Sequence, residues 1–470
     1  MAATAYDVEP HPPLYSAADH PRTSSLFAMQ SRFLRLLGML GPKLPVWLPT
    51  KLGFVLHAQA LLVVVISGHL ALLFTKTTFD TLQDGSLEDI TDALAMAIIY
   101  SFTCFADCYW LWRSTQLERF LQRIDREHRH HSLAGLTFVS SHRSFVLARR
   151  LTVSWLLCCY SGVVLWGLAP IILRSHTLPL RCWYPFDAMQ EGAYEMVYVT
   201  QLMGQVIVGT TYGSGSALFV SLVILMLGQF DVLFCSLKNF EYHARLLSGA
   251  DFDNHLSSIF QMLLFLNLQG HDDELCQYIY AEEHITDLTV FKDLHRSRKV
   301  YRDLTSSSLE QRLHDALVEC VRHHCFIMEC CTELETLYSP YCLVKSLQIT
   351  VQLCLLLFVG VEGKQTTMRV INLLQYVSLT AVELLMFTYF GELLRSHSVR
   401  GGDALWRANW WRNATHIRND IMIFLLNSRR ACKLTAGKFF AMDVERLRSV
   451  VMQAFSFLTL LQNLAANNAK

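Results

Sequence analysis

Charged residues are scarce in this chain. They make up 17% of its 470 residues, whereas hydrophobic residues make up 52%. Soluble domains contain about 25% charged residues, so this composition excludes an ordinary soluble protein and favours one with several membrane spans. The formal net charge is zero and gives no reason to expect a nucleic-acid partner.

A cleavable signal sequence is also missing. Residues 1–25 contain four prolines and no apolar core, so we expect a disordered tail. Residues 26–40 then have the apolar spacing of an amphipathic helix lying on the inner membrane surface. The chain has no nucleophile elbow, phosphate loop or paired acid–base arrangement, which argues against an enzyme and gives no reason to expect a cofactor.

Seven segments are apolar enough and long enough to cross a bilayer. The sequence therefore predicts an all-α membrane protein with seven transmembrane helices. The seventh segment is the least hydrophobic, and a hydropathy plot alone identifies only the first six. The predicted spans are residues 54–74, 93–112, 151–173, 197–227, 341–361, 370–394 and 449–467.

Lys and Arg alternate between the two sides of these spans. Five precede the first span, one follows it, eight lie between the second and third, two between the third and fourth, and nine between the fourth and fifth. Positive loops stay in the cytosol, which predicts an inverted topology with the N-terminus inside and the C-terminus outside. Cys182 is alone in the predicted outer loops, so no outer disulfide is expected. Both features argue against a G-protein-coupled receptor.

The seventh segment has a polar stripe. Five residues fall within about 40° of one helical line, namely Ser449, Gln453, Ser456, Asn463 and Asn467. The apolar Leu460 interrupts this line and Leu464 flanks it one turn on. A polar stripe with an apolar constriction is what a dewetting gate in an aqueous pore requires. The alternative is a helix lying in the membrane interface.

Three motifs resemble the insect odorant receptor family. They are the loop CWYPFD at 182–187, the sequence YFGELL at 389–394, and LTAGKFF at 434–440 followed by Phe455-Ser456-Phe457. Their order and spacing cover the chain from the first span to its end. Gustatory receptors carry Thr-Tyr and Gln-Phe pairs in the last span. This chain has Ser456-Phe457 and Gln462-Asn463 there, closer to an odour-tuning subunit.

The resemblance implies an odorant-gated, non-selective cation channel in the plasma membrane of a sensory dendrite. Such a subunit forms a heterotetramer with a shared odorant co-receptor subunit and binds a small volatile odorant within the lipid bilayer. The resemblance places Leu460 and Leu464 at the pore constriction, with Ser456 and Asn463 also along the ion path. A gustatory-type or co-receptor-type channel of the same superfamily remains the alternative.

The resemblance also implies a domain division. Residues 1–52 form the cytosolic tail and amphipathic helix, and residues 53–307 form the first four spans with their cytosolic loops. Residues 308–440 combine cytosolic anchor helices, at 308–338 and 400–433, with the fifth and sixth spans. Residues 441–470 form the pore-lining seventh span and a short extracellular tail.

The family holds its ligand in the outer halves of the second, third, fourth and sixth spans. With the predicted orientation, these halves contain aromatic walls and a few hydrogen-bonding groups, which suit a small volatile ligand. Packing between helices is the alternative role for each residue. The candidates are Met96, Ile99, Tyr100, Thr103, Tyr160, Val163, Val164, Trp166, Tyr198, Gln201, Leu202, Gln205, Leu373, Tyr376 and Leu379.

Ionisable residues inside the spans are further candidates, because charge is costly within a bilayer. Glu383 lies near mid-membrane, where it could be protonated, pair with another helix or counter an amine ligand. Asp107 and Lys345 lie towards the cytosolic ends of their spans and could pair with each other or extend their charged ends to the membrane surface. The Cys and His residues between 320 and 331 match no standard zinc pattern, so no metal site is expected.

Overall fold

The computed structural model describes residues 27–40, 53–129, 141–172, 177–190, 192–238, 240, 244, 309–362, 367–408 and 417–468. The predicted disordered tail and most of the long loop between the fourth and fifth predicted spans lie outside these residues. Apart from one short hairpin and the connections, the described chain is helical.

Ten helices and two strands have bounds within the described residues. In chain order they are α1 (Ala28–Leu36), α2 (Gly53–Asp84), α3 (Leu87–Glu127), α4 (His142–Ile172), α5 (Ala193–Lys238), α6 (Leu309–Glu362), α7 (Thr367–Ser398), α8 (Gly401–Arg407), α9 (Arg418–Ser428), β1 (Thr435–Ala436), β2 (Phe440–Ala441) and α10 (Val444–Asn468).

Six helices, α2 to α7, are long and apolar enough to cross a membrane. They contain the first six predicted spans, apart from Leu173, which lies outside the described residues. The seventh predicted span is also helical, as part of α10, but α10 is not among the helices that meet the hydropathy criterion. The structure therefore confirms an all-α protein with six apolar spans.

The spanning helices are much longer than a bilayer is thick. The 54 residues of α6 extend about 80 Å at 1.5 Å per residue, against an apolar core of about 30 Å. Predicted anchor residues 308–338 and the predicted fifth span therefore belong to one continuous helix from residue 309 onward. Pro340, which cannot donate a backbone hydrogen bond, lies inside this helix at the junction of the two parts.

Helix α5 forms the centre of the bundle. Its residues from Gly213 to Leu237 are all buried, which explains why its sequence is apolar on every side rather than amphipathic. Aromatic rings pack around it: Phe219 stacks on Phe387 of α7 with centroids 4.4 Å apart, and Trp110 of α3 meets Tyr338 of α6 at 5.1 Å. Helices α3, α5, α6 and α7 thus share one core.

The hairpin of β1 and β2 connects this core to α10. Gly437 and Lys438 form its turn with φ angles of 61° and 63°, a left-handed conformation that glycine adopts without strain. The Gly437 N–H donates to the Ser339 carbonyl of α6 at 2.8 Å. On the other side, a Cβ at Gly391 of α7 would collide with the Met442 carbonyl, so these backbones touch. The hairpin therefore packs between α6 and α7.

A carboxylate on α6 fixes the hairpin further. Glu335 accepts hydrogen bonds from the Thr435 backbone N–H, at 2.7 Å, and from the Thr435 hydroxyl. Because α10 begins three residues after β2, this contact sets where α10 starts relative to α6.

We predict that Glu335→Ala lowers the free energy of unfolding by about 1–3 kcal/mol, because it leaves the Thr435 N–H without its charged partner. Thermal unfolding of the purified protein measures this. Thr435→Ser keeps both donors and should unfold close to wild type. Equal melting temperatures for Glu335→Ala and wild type would show that the carboxylate does not hold the hairpin.

Candidate functional site

The connection between α4 and α5 folds back over one end of the bundle, which we call the loop end. Gln201 of α5 holds it there: its amide accepts from the Leu180 N–H at 3.0 Å and donates to the Leu180 carbonyl at 3.1 Å. The same amide donates to the Tyr184 hydroxyl at 3.0 Å. Gln201 was expected to contact a ligand, but its hydrogen bonds go to this loop.

An aromatic cluster lies directly beneath the loop. Tyr100 of α3 stacks on Phe74 of α2 with ring centroids 4.6 Å apart, and Leu180 of the loop is buried against the same cluster. Trp166 of α4 joins it and meets the Tyr376 ring of α7 edge-on at 5.6 Å. Residues from four helices and one loop therefore converge here. We call Phe74, Met96, Tyr100, Trp166, Leu180 and Tyr376 the aromatic cluster.

Four predicted ligand residues lie in the aromatic cluster, namely Met96, Tyr100, Trp166 and Tyr376. Sequence reasoning missed Phe74 and Leu180. Leu180 lies two residues before the CWYPFD motif, which was interpreted as a family feature rather than as a cover for the bundle. Phe74, at the end of the first predicted span, had no signal in the sequence.

Other predicted residues surround the cluster along α4 and α5. The hydroxyl groups of Tyr160 and Thr210 lie 2.7 Å apart, and the Tyr198 hydroxyl donates to the Gly167 carbonyl. Gln205 is 6% exposed and its Oε1 has no hydrogen-bond partner. It is therefore a buried acceptor available to a polar group.

The remaining candidates differ in position. Leu202 and Val163 pack against Gly167 and Gly209, respectively, and Ile99 is half-buried. Leu379, one turn from Tyr376 on α7, lies against Trp155 and Cys159. Val164 is 53% exposed, so α4 turns it away from the aromatic cluster.

Below the cluster, Lys345 of α6 and Glu383 of α7 form a buried ion pair. Their side chains are 1% and 0% exposed, and Lys345 Nζ lies 2.8 Å from Glu383 Oε1. The Tyr212 and Ser216 hydroxyls of α5 also donate to this carboxylate. Lys345 Nζ additionally lies 3.4 Å from the centroid of the Tyr212 ring, a cation–π contact. Of the roles considered for Glu383, pairing with another helix is the one observed.

This ion pair adjoins α10. One residue from Lys345, the Ser346 hydroxyl accepts from Arg446 of α10 at 3.2 Å. One residue from Glu383, Leu384 packs with Ile349 and Val450. The Lys345–Glu383 pair therefore lies between the aromatic cluster and the contacts that hold α10 against α6 and α7.

The face of α10 that packs on the bundle is the apolar one. Val450, Ala454 and Leu458 are buried, as the predicted helical phase requires. Ser456 and Asn463 of the polar stripe are exposed, and Leu460 is 55% exposed. Position 464 is helical, and its side chain lies outside the described residues. The stripe thus faces away from its own bundle.

The described residues contain no group of three or more His, Cys, Asp or Glu side chains that could hold a metal ion. Cys320, His323, Cys330 and Cys331 are buried in the protein core, whereas Cys325 is exposed. His323 Nε2 lies 3.0 Å from Gln229 Oε1 of α5, so it takes part in helix packing.

We predict that Lys345→Met lowers the free energy of unfolding by about 3–5 kcal/mol, because it leaves Glu383 buried without its cation. The double variant Lys345→Met/Glu383→Leu removes both charges and should regain most of that loss. Thermal unfolding of the two purified variants measures the difference. A double variant no more stable than the single one would contradict the importance of the pair.

Comparison with known proteins agrees with this architecture. A model of the 7tm odorant receptor family matches residues 86–455. The chain is 53% identical over 457 residues to putative odorant receptor 85e of Drosophila melanogaster, covering 96% of this chain and 95% of that protein. Odorant receptor 83a of the same species is 35% identical over 404 residues, covering 85% and 86%.

Solved structures show the same fold. The insect olfactory receptor OR5 from Machilis hrabei, in complex with eugenol, superposes with a TM-score of 0.69 at 13% identity, over 93% of this chain and 97% of that one. Together with the sequence matches over most of its length, this shows that the chain belongs to the odorant receptor family and is a multi-pass membrane receptor rather than an enzyme.

Proposed function

We propose that this receptor is an odorant-gated, non-selective cation channel subunit. It binds a small volatile ligand at the aromatic cluster and opens a tetrameric pore together with a co-receptor subunit in the plasma membrane. The observation that carries the proposal is the path from the aromatic cluster, through the Lys345–Glu383 pair, to the helix with the exposed polar stripe.

In this proposal α10 is the seventh span and the topology is inverted. The alternating Lys and Arg counts support a cytosolic N-terminus and an extracellular C-terminus. The loop end then faces outward, so a volatile ligand reaches the aromatic cluster from the outer leaflet. The chain divides functionally at 1–52, 53–307, 308–440 and 441–470, as the family resemblance implies.

The ligand's affinity would come mainly from apolar burial against aromatic rings, with a few polar groups fixing its orientation. Trp166 and Tyr376, together with Tyr100, provide such a wall. The free Oε1 of Gln205 provides an acceptor for a hydroxyl group on the ligand. Gln201 acts indirectly, by holding the loop that covers the site.

The pore would form where the α10 helices of several subunits meet. A stripe of polar residues with one exposed leucine suits an axis shared by four subunits, because each helix presents it away from its own bundle. Exposed apolar residues at the α8–α9 end of the protein, with Trp406 68%, Ile423 59% and Leu426 67% exposed, support an anchor between subunits.

The test is expression with and without a co-receptor subunit, followed by a screen of volatile compounds for a cation current. We expect an odorant-dependent current that requires both subunits. A receptor that reaches the surface with its co-receptor and answers no volatile with current, but signals through G proteins, would refute the proposal.

We predict that Tyr376→Ala weakens odorant potency by roughly 5- to 150-fold, because an aromatic wall contributes about 1–3 kcal/mol to a packed ligand. Gln205→Leu should weaken ligands that carry a hydroxyl more than pure hydrocarbons. Dose–response currents measure both effects. Tyr389→Ala, which changes an exposed tyrosine of the same helix, is the matched control and should leave potency unchanged. If the first two variants reach the surface and rank ligands as wild type does, the ligand binds elsewhere.

We predict that Leu460→Ser raises the current in the absence of odorant, because four apolar side chains at a narrow axis exclude water and a serine does not. Asn463→Asp should instead change cation preference. Phe455→Ser, an exposed residue off the stripe, is the control and should leave the resting current unchanged. The opposite pattern, a leak from the control and none from Leu460→Ser, would place the pore on another face of α10.

A further inference from the structure

Three ionisable side chains lie inside the bundle at the level of α5 residues 211–216, and their charges do not balance. Lys345 and Glu383 neutralise each other at 2.8 Å. The third, Asp107 of α3, is 3% exposed, and among the described residues no basic group forms an ion pair with it. Neither carboxylate oxygen has a hydrogen-bond partner. An ionised carboxylate left this way is strongly unfavourable, so Asp107 must either take up a proton or lie beside a cation.

The groups beside Asp107 are oxygen donors from two other helices. Ser67 of α2 and Thr211 of α5 are its hydroxyl neighbours. Gly68, next to Ser67, packs on Cys104 one turn from Asp107, and the Ser67 hydroxyl also donates to the Val64 carbonyl at 3.2 Å. Thr211 is 1% exposed and its Oγ1 has no hydrogen-bond partner, and Ser67 is fully buried. One turn along α3, the buried Trp110 Nε1–H is also unpartnered. Unsatisfied buried polar groups at one place in a native protein indicate a bound ion or water.

We propose that Asp107, Ser67 and Thr211 bind one monovalent cation such as Na⁺. Carboxylate and hydroxyl oxygens are the ligands that hard cations prefer, and ordered waters would complete the coordination. A single positive charge brings the buried layer to neutrality, whereas a divalent ion would leave it with excess positive charge. Lys345 cannot serve instead, because its ammonium group is bound to Glu383.

The proposed ion joins α2, α3 and α5 just below the aromatic cluster. Ser67 lies two turns from Phe74 on α2, and Asp107 lies two turns from Tyr100 on α3. Thr211 is next to Thr210, which bonds Tyr160. The cation therefore stabilises the three helices that carry much of the cluster, and it does so independently of whether the receptor conducts ions.

The test is thermal unfolding of the purified full-length protein as NaCl replaces choline chloride at constant ionic strength. Binding to the folded state alone raises the melting temperature as Na⁺ increases. We expect this rise in wild type and not in Asp107→Asn. The asparagine removes the buried charge, so this variant should be at least as stable as wild type in choline. Asp80→Asn, which removes an exposed carboxylate of α2, is the matched control and should keep the wild-type rise.

Two further variants keep the proposal testable if Asp107→Asn does not fold. Ser67→Ala and Thr211→Val each remove one oxygen ligand and should raise the half-saturating Na⁺ concentration roughly tenfold. Acidification that protonates the carboxylate should abolish the Na⁺ effect in wild type. A wild-type melting temperature that follows pH but not Na⁺ would show that Asp107 holds a proton, and would overturn the proposal. Equal Na⁺ responses in wild type and all three site variants would overturn it too.

Discussion

The buried ion pair of Lys345 and Glu383 is the interaction on which the arrangement of the bundle depends. It joins α6 to α7 in a region where neither charge can reach water, and the Tyr212 and Ser216 hydroxyls of α5 complete it. Charges in such surroundings tolerate little displacement, because separating them exposes each to an apolar environment. The relative positions of three helices are therefore fixed at this level.

Helix α10 packs against the bundle beside this ion pair. Its first turns contact Ser346, Ile349 and Leu384, neighbours of the two charged residues, and the hairpin before it is held by Glu335. A shift of α7 would thus reach α10 through direct contacts. Because Tyr376 lies on α7 as well, two turns before Glu383, a single helix extends from the aromatic cluster to the contacts with α10.

Hydropathy and helical periodicity were sufficient for the broad outline. Six apolar segments were located because a bilayer demands long uncharged runs, and the helical phase of α10 followed from where its polar residues recur. Other features depended on contacts distant in sequence. The roles of Gln201 and Phe74 depend on where the α4–α5 loop folds, which the sequence does not reveal. The partner of Glu383 is Lys345, 38 residues away on another helix.

The sequence by itself determined that this is a helical membrane protein of the odorant receptor type. Composition, span length and local motifs can all be read along the chain without knowing which distant residues meet. Only the tertiary structure decided which polar side chains meet inside the bundle. Lys345 pairs with Glu383, and Asp107 is buried on α3 without a hydrogen-bond partner for its carboxylate oxygens. That choice depends on how helices rotate and pack against one another, and packing is set by the shapes of many side chains together rather than by the order of residues along any one helix.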